Sequence, residues 1–383
     1  MFKLNQKKIE NALLLLMCVG KFLVSGRATK KISRLDNILV VHLSKLGDMV
    51  CTTPMFHAIK QKYPRSCVYV LGAEPYRELL RGNSDVDRYL GYQSSIFKNI
   101  KMLKKEKIDY ACLAYPNFTA LAVMYLAGIP TICVPQVVAR FCPLETKTYR
   151  FLRRWVLTAP HDAWKYAPRE YLRLLEPIGI YTDEIKTYLF YTSEAENKAM
   201  AFLQQHEAVP GRDFLVGIAP GAGHKLKLWP TERFAYLADY LQEKYQAKIF
   251  LITGPDEQDL VEKMMASIKP TTKVINPKFS IEELKAFISK LSFFVSVSTG
   301  PMHFADAFDI PLVVVVGPAD EVTQTPRGVY SRIVKPERKE AAIYTMCTRI
   351  FDYEEARRQA ESTTVEMVKE KIDELISLIK DKK

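Results

Sequence analysis

The chain has 383 residues, 48% of them hydrophobic and 26% charged, and its 55 Lys and Arg against 43 Asp and Glu leave a formal charge of +12. At about 150 residues per domain this length implies two domains, and the charge implies attraction to something anionic, whether a phosphorylated substrate, a membrane face or nucleic acid. No apolar run approaches the roughly 20 residues of a bilayer-spanning helix, which excludes an integral membrane protein; seven scattered cysteines (18, 51, 67, 112, 133, 142 and 347) without a C-x-x-C pair exclude a disulfide scaffold and fit a reduced, cytoplasmic setting.

The first segment, residues 1–36, carries Lys3, Lys7 and Lys8 before the apolar run Ala12 to Gly20, with Lys21 after it. This predicts a helix with basic flanks that lies in a membrane interface or packs on the protein. Glu10, Lys21 and the lack of an A-x-A site argue against a cleaved signal peptide.

Ile38 to Asp48 (ILVVHLSKLGD) then reads as a buried strand ending in a polar loop with a Gly-Asp pair, followed by a helix from Val50 to Tyr63. A strand, a glycine-bearing turn and a helix in that order aim backbone N–H groups and one carboxylate beyond the end of a parallel sheet, so Asp48 is the first candidate working residue. Strands follow at Cys67 to Leu71, Asp87 to Tyr92, Tyr110 to Ala114 and Thr131 to Val134. Between them lie helices at Glu74 to Arg81, Ser95 to Lys105 and Thr119 to Ala127. Strands alternating with helices predict a parallel, doubly wound sheet. Pro135, Pro143, Pro160, Pro168 and Pro177 break the rhythm, so residues 135–185 read as an insertion and connector within a first domain of 37–185.

A second domain, 186–345, repeats the alternation with strands Phe214 to Ala219, Lys248 to Thr253, Lys273 to Ile275, Phe293 to Val297 and Leu312 to Val316. Helices are predicted at Thr231 to Tyr245, Asp256 to Ser267, Ser280 to Leu291 and Pro301 to Phe308. Residues 346–383 form a helical tail, amphipathic from Thr363 to Lys380, expected to pack back toward the first domain.

Two basic clusters stand out, Lys98 to Lys107 and Arg140 to Arg154, the second interleaved with Phe141, Tyr149, Phe151 and Trp155. Such clusters suit nucleic acid, a lipid headgroup surface or a merely solvated face. His42 reads as a buried, hydrogen-bonded residue, and Cys51, with no nearby histidine in sequence, as core packing. No His and Cys spacing suits a metal.

Three strand ends of the second domain repeat the design of the Asp48 loop. Ala219 to Pro230 (APGAGHKLKLWP) places small residues and two lysines after a strand, Thr253 to Glu257 (TGPDE) adds a carboxylate pair, and Ser298 to His303 (STGPMH) opens a helix with Pro301 in its first turn. Lysines and helix N-termini suit phosphates and Asp256 or Glu257 suits ribose hydroxyls, a constellation fitted to a nucleotide diphosphate.

With LSKLGDMVCTTP (43–54), APGAGHKLKLWPTERFAYLAD (219–239), TGPDE (253–257), STGPMHFADAF (298–308) and VVGPAD (315–320), the chain resembles glycosyltransferase family 9, the ADP-heptose:lipopolysaccharide heptosyltransferase type. The resemblance covers about Ile38 to Gly328. It implies an α/β GT-B fold, two Rossmann-like domains facing across a cleft and closing over the donor. It also implies Asp48 as general base toward the acceptor hydroxyl and Lys227 as the residue neutralising the diphosphate leaving group. The donor-binding set it implies is Ser44, Gly47, Gly221, Gly223, Lys225, Asp256, Glu257, Ser298, Thr299, Gly300, Met302 and His303. The family commonly has Asp where Ser298 stands, a departure that bears on the donor.

The resulting expectation is an inverting, metal-independent transferase, without cofactor, that moves a heptose or related sugar. Its donor would be ADP-heptose or another nucleotide sugar, its acceptor a lipopolysaccharide-core-type or other membrane-linked, phosphorylated glycan, and its location cytoplasmic, peripheral on the cytoplasmic face of the inner membrane, with no nucleic acid partner. Alternatives are a sugar-nucleotide epimerase of the same fold and a non-catalytic nucleotide- or anion-binding paralogue.

Overall fold

The computed structural model describes the chain except residues 1, 31, 33, 34, 139–141, 345–348, 351, 382 and 383, and the side chains of 2–7, 344, 349 and 350. Contacts divide the chain into two units, Met1–Lys45 with Thr52–Lys186, and Leu46–Cys51 with Thr187–Lys383. The short Asp48 segment therefore packs with the second unit, although it lies between elements of the first.

The first unit begins with helix α1 (Phe2–Ser25) and continues through β1 (Asn37–Val41). After α2 (Leu46–Val50), which belongs to the second unit, come α3 (Thr53–Lys62), β2 (Cys67–Gly72), β3 (Arg88–Gly91), α4 (Ile96–Lys105), β4 (Tyr110–Leu113) and α5 (Phe118–Ala127). It closes with β5 (Thr131–Val137), α6 (Lys147–Leu152), β6 (Leu157–His161) and α7 (Ala167–Leu172). The six strands are all parallel in the order β3-β2-β1-β4-β5-β6, with Leu39 of β1 level with Tyr69 on one side and Ala111 on the other. Strands covered on both faces read as continuous apolar runs, which is why β1, β2 and β4 are legible from sequence.

Residues 135–185 are not an insertion. They hold β6, the sixth strand of the sheet, paired in parallel with β5. The prolines that mask it have ordinary places: Pro160 lies on the edge strand, Pro168 in the first turn of α7, and Pro177 in a short 3-10 turn before Gly179. The Glu74 segment, predicted as a helix, is a 3-10 turn over Glu74–Leu79. Helix α5 has no polar face and every residue but Thr119 is buried, because α1, α4 and α6 all lie against it. Leu14 and Cys18 of α1 enter that core, and Phe22 stacks on Trp155 with ring centroids 4.3 Å apart.

The second unit runs α8 (Ser193–Gln205), β7 (Leu215–Ala219), α9 (Thr231–Tyr245), β8 (Lys248–Leu251), α10 (Gln258–Ser267), β9 (Val274–Ile275), α11 (Ile281–Ile288) and β10 (Phe293–Val297). It continues with α12 (Gly300–Ala307), β11 (Leu312–Val315), β12 (Ser331–Val334), β13 (Ile343–Tyr344), β14 (Arg349–Ile350), α13 (Tyr353–Ser362) and α14 (Val365–Lys380). Its main sheet is again parallel, in the order β12-β11-β10-β7-β8-β9. Numbered within each unit, both sheets have the doubly wound order 3-2-1-4-5-6. No described helix is long and apolar enough to cross a membrane.

The tail belongs to the second unit. Val368, Ile372, Leu375 and Ile376 of α14 enter the core of the second unit with Trp229, Phe234 and Val313, and Asp373 takes hydrogen bonds from Tyr240, Lys244 and Tyr245. Spacing along α14 revealed its apolar face but not the surface that face meets. Replacing the fully buried Ile372 by Ala is expected to destabilise the second unit by about 2–5 kcal/mol in urea denaturation; an unchanged midpoint would mean the tail is not part of that core.

Candidate active site

In each sheet the order reverses between the first and fourth strands, and the loops beyond their carboxyl ends border the natural ligand position. In the second unit that point lies between β7 and β10, which pair directly. The loops after β7, β8 and β10 therefore emerge side by side along one sheet edge. They contain the three motifs read from sequence.

The loop after β7 ends in a 3-10 turn, Lys225–Lys227, in which His224 accepts from the N–H of Leu226 at 3.2 Å. Gly223 and Lys225 are exposed, whereas Lys227 is half-buried. Trp229 anchors the loop from beneath, its indole N–H donating to the Thr363 carbonyl at 2.8 Å. Gly221 is required by close approach, because a Cβ there would lie 2.0 Å from Oε1 of Glu257. Glu257 in turn accepts from the Gly254 N–H at 2.7 Å, a bond within the loop after β8 that holds the carboxylate against Gly221 of the loop after β7, while Asp256 beside it is exposed.

After β10, Ser298 and Thr299 are half-buried, and Thr299 adopts an extended N-cap conformation that makes no side-chain cap. Gly300 opens α12, whose amino end offers backbone donors and positive dipole character. Met302 is buried; its side chain packs inside rather than lining an open surface.

The Asp48 segment completes the arrangement. Gly47 faces His303 so closely that a Cβ would stand 2.7 Å from Cδ2 and 2.9 Å from Nε2 of the ring, and a Cβ on Gly300 would meet Leu46 at 3.2 Å. Asp48 is half-buried and its Oδ1 accepts from the Gln324 amide. Ser44 lies in the loop after β1, in the first unit, and is half-buried.

His303 is buried, which pushes its pKa down to about 4; the nearby Asp48 opposes the shift and Lys227 reinforces it. The ring is therefore neutral at pH 7. Cys51 Sγ lies 3.9 Å from His303 Nδ1, and burial holds the thiol well above its usual pKa. With the thiol protonated and the ring neutral, the contact joins two uncharged groups, either of which can donate across it. The absence of a histidine near Cys51 in sequence is thus corrected in space, yet a thiol held this firmly protonated makes a poor nucleophile.

Gln324 was not among the sequence candidates. Asp320 of the VVGPAD motif caps the turn that carries it, accepting from the Thr323 N–H at 2.7 Å and its hydroxyl at 2.8 Å. Gly317 sits at a φ of +52°, and Arg338 donates to the Ala319 carbonyl at 2.7 Å. A glutamine inside a TQTP stretch offers no periodicity or spacing by which to find it. In the first unit, His42 is buried against the edges of Tyr115 and Tyr171, in keeping with a core histidine. Among the described residues no three His, Cys, Asp or Glu side chains cluster as metal ligands. Arg140, Phe141, Met346 and Cys347 lie outside the described residues.

Two parallel sheets of this order give the chain the GT-B fold. It belongs to glycosyltransferase family 9 (heptosyltransferase), whose model matches residues 152–349. It is 26% identical over 294 residues to lipopolysaccharide heptosyltransferase 3 of Escherichia coli (strain K12), covering 73% of this chain and 82% of that protein. The glycosyl transferase family 9 structure from Veillonella parvula DSM 2008 superposes with a TM-score of 0.72 at 19% identity, over 91% of this chain and 99% of that one. The E. coli ADP-heptose lps heptosyltransferase II structure gives 0.70 at 19% identity, over 90% and 99%.

Two outcomes test this packing. Gly47→Ala is expected to cost about 1–3 kcal/mol of stability, because the buried imidazole has little room to retreat; a neutral effect would show the contact to be loose. Because its native pKa is depressed, His303 adds stability that is complete above its unfolded pKa near 6.5 and is lost as pH falls toward 4. Between pH 7 and 5 the loss is about 2 kcal/mol from this group. Urea titrations of the wild type and His303→Gln should differ in slope over that interval, and parallel pH dependences would refute a buried neutral ring.

Proposed function

We propose that this glycosyltransferase moves a heptose, or a related sugar, from an ADP-linked donor to a lipopolysaccharide-core-type or other membrane-linked, phosphorylated glycan, with inversion and without a metal ion. The observation that carries this reading is the gathering of Asp48, Lys227 and the amino end of α12 around one buried, neutral histidine. An ADP-heptose lps heptosyltransferase among the structural neighbours supports the donor, and lipopolysaccharide heptosyltransferases among the relatives support the acceptor class.

In a single displacement the acceptor hydroxyl gives its proton to Asp48 as its oxygen attacks the anomeric carbon. The bond from that carbon to the diphosphate oxygen breaks on the opposite face, and ADP leaves with the electron pair. Gln324 fixes the carboxylate by one oxygen, so the base has a defined direction. An ordinary aspartate is a weak base, and positioning supplies most of its effect. Lys227 and the N–H groups of Thr299 and Gly300 take up the developing diphosphate charge. A neutral His303 lets its neighbourhood keep a net balance set by Asp48 and Lys227. We assign the ribose to Asp256, the acceptor to loops of the first domain, and the site of action to the cytoplasmic face of the inner membrane, where a basic protein is held peripherally.

The test uses ADP-heptose and a lipopolysaccharide-core acceptor, reading ADP release and thermal stability together. Asp48→Asn should lower kcat by about 10²–10⁴ while keeping the donor's stabilisation, about 2.7 kcal/mol at 100 times Kd. Lys227→Ala should lose much of that stabilisation. Transfer should survive EDTA. Release of ADP without acceptor would favour the epimerase, and no stabilisation by any nucleotide sugar would favour a non-catalytic binder, which the serine at 298 otherwise leaves open.

A further inference from the structure

Helix α1 is apolar on two opposite faces, and the fold uses only one of them. At 100° per residue, Leu14, Cys18 and Phe22 share the face that enters the core against α5 and α6. Ile9, Leu13, Leu16 and Leu23 fall on the opposite face, with Gly20 in the same stripe, and are 61%, 57%, 65% and 79% exposed. Val24 continues the ridge at 87%.

The elements beside this ridge carry the two basic clusters. Phe22 lies on one edge of the buried face and stacks on Trp155, whose other neighbour is Phe151 at the end of α6. There Lys147, Arg150 and Arg154 are exposed. Lys21 lies on the other edge, donating to the Leu126 carbonyl at 3.1 Å, and it feels the charge of Lys104 on α4. The outward face of α4 presents Lys98, Lys101, Lys104 and Lys105 beside the exposed Phe97, and neither α4 nor α6 contains an acidic residue.

We propose that α1, with α4 and α6, is a docking face for an anionic lipid bilayer, the aliphatic ridge entering the acyl boundary while the basic banks meet the headgroups. Charge complementarity selects the occupant. A nucleic acid would use the lysines and arginines but offers no apolar layer for Leu13, Leu16 and Leu23, and a second copy of this face would bring like charges together. The helix is an interfacial element and not a span, since no described helix is apolar enough to cross. The inference rests on the peripheral membrane location proposed above and not on the sugar transfer, so a chain that binds vesicles without transferring sugar, or the reverse, separates the two.

The full-length chain would be floated with vesicles of phosphatidylcholine alone and with added phosphatidylglycerol. Binding is expected only to the anionic vesicles and to weaken with added salt. Leu13→Glu with Leu16→Glu should lower the partition at least about tenfold. Lys101→Glu, Lys104→Glu and Arg150→Glu should each lower it about fivefold. All these positions are exposed, so the thermal midpoint should remain that of the wild type, and Leu16→Phe should retain binding. Absence of binding to anionic vesicles, equal binding by the folded variants, or a wild-type dimer that the Leu13 and Leu16 changes dissolve would overturn the proposal.

Discussion

The constraint on which the site depends is the contact of α2 with α12, which only glycine permits at position 47. A methyl there would overlap the His303 ring, and one at Gly300 would press on Leu46. Because neither position has a side chain, the two helix ends meet, and three consequences follow from one contact. His303 loses its water and stays neutral, Cys51 fills the space on its Nδ1 side, and Asp48 comes within reach of Gln324. A charged imidazolium in that place would stand desolvated beside Lys227, so neutrality of the ring is the condition under which the packing is stable.

The rest of the architecture supplies the frame for that contact. Both sheets are parallel with the same order, so each gathers its loops at one edge and buries its strands between helices. In the second unit the loops at that edge are held by three sets of bonds: Glu257 within the loop after β8, Trp229 onto the tail, and Arg338 onto the 317–319 turn. In the first unit the requirement is different. Helix α5 has no polar face, and α1, which precedes the first strand of the sheet, helps to cover it. Covering α5 uses one side of α1 and leaves the other apolar.

What the sequence made legible follows this division between local and distant causes. Buried parallel strands announce themselves as apolar runs, and glycine-bearing loops after them mark the carboxyl edge of the sheet, so β1, β7, β8 and β10 and their motifs are readable in order. β6 is not, since proline on an edge strand and proline at a helix start look alike in a string of letters. The partner of an amphipathic face is equally hidden: α14 displays its stripe plainly but not that Trp229 and Phe234 receive it. Gln324 and the Cys51 to His303 contact join residues 276 and 252 positions apart, and nothing in the local pattern of either records the other.

The serine at 298 can be weighed in the same physical terms. Thr299 and Gly300 lead into α12, whose unpaired N–H groups favour an anion, and a carboxylate one residue earlier would compete for that positive end. Serine leaves the attraction undiminished and adds a hydroxyl that donates as well as accepts. What it gives up is a fixed charge able to hold two sugar hydroxyls at once. Under the proposed mechanism, diphosphate capture at α12 and Lys227 is therefore preserved or strengthened, whereas discrimination among sugars is relaxed at this position. On that proposal the substitution bears on which sugar is carried more than on whether the leaving group is stabilised, and it leaves Asp48, held by Gln324 within the same unit, untouched.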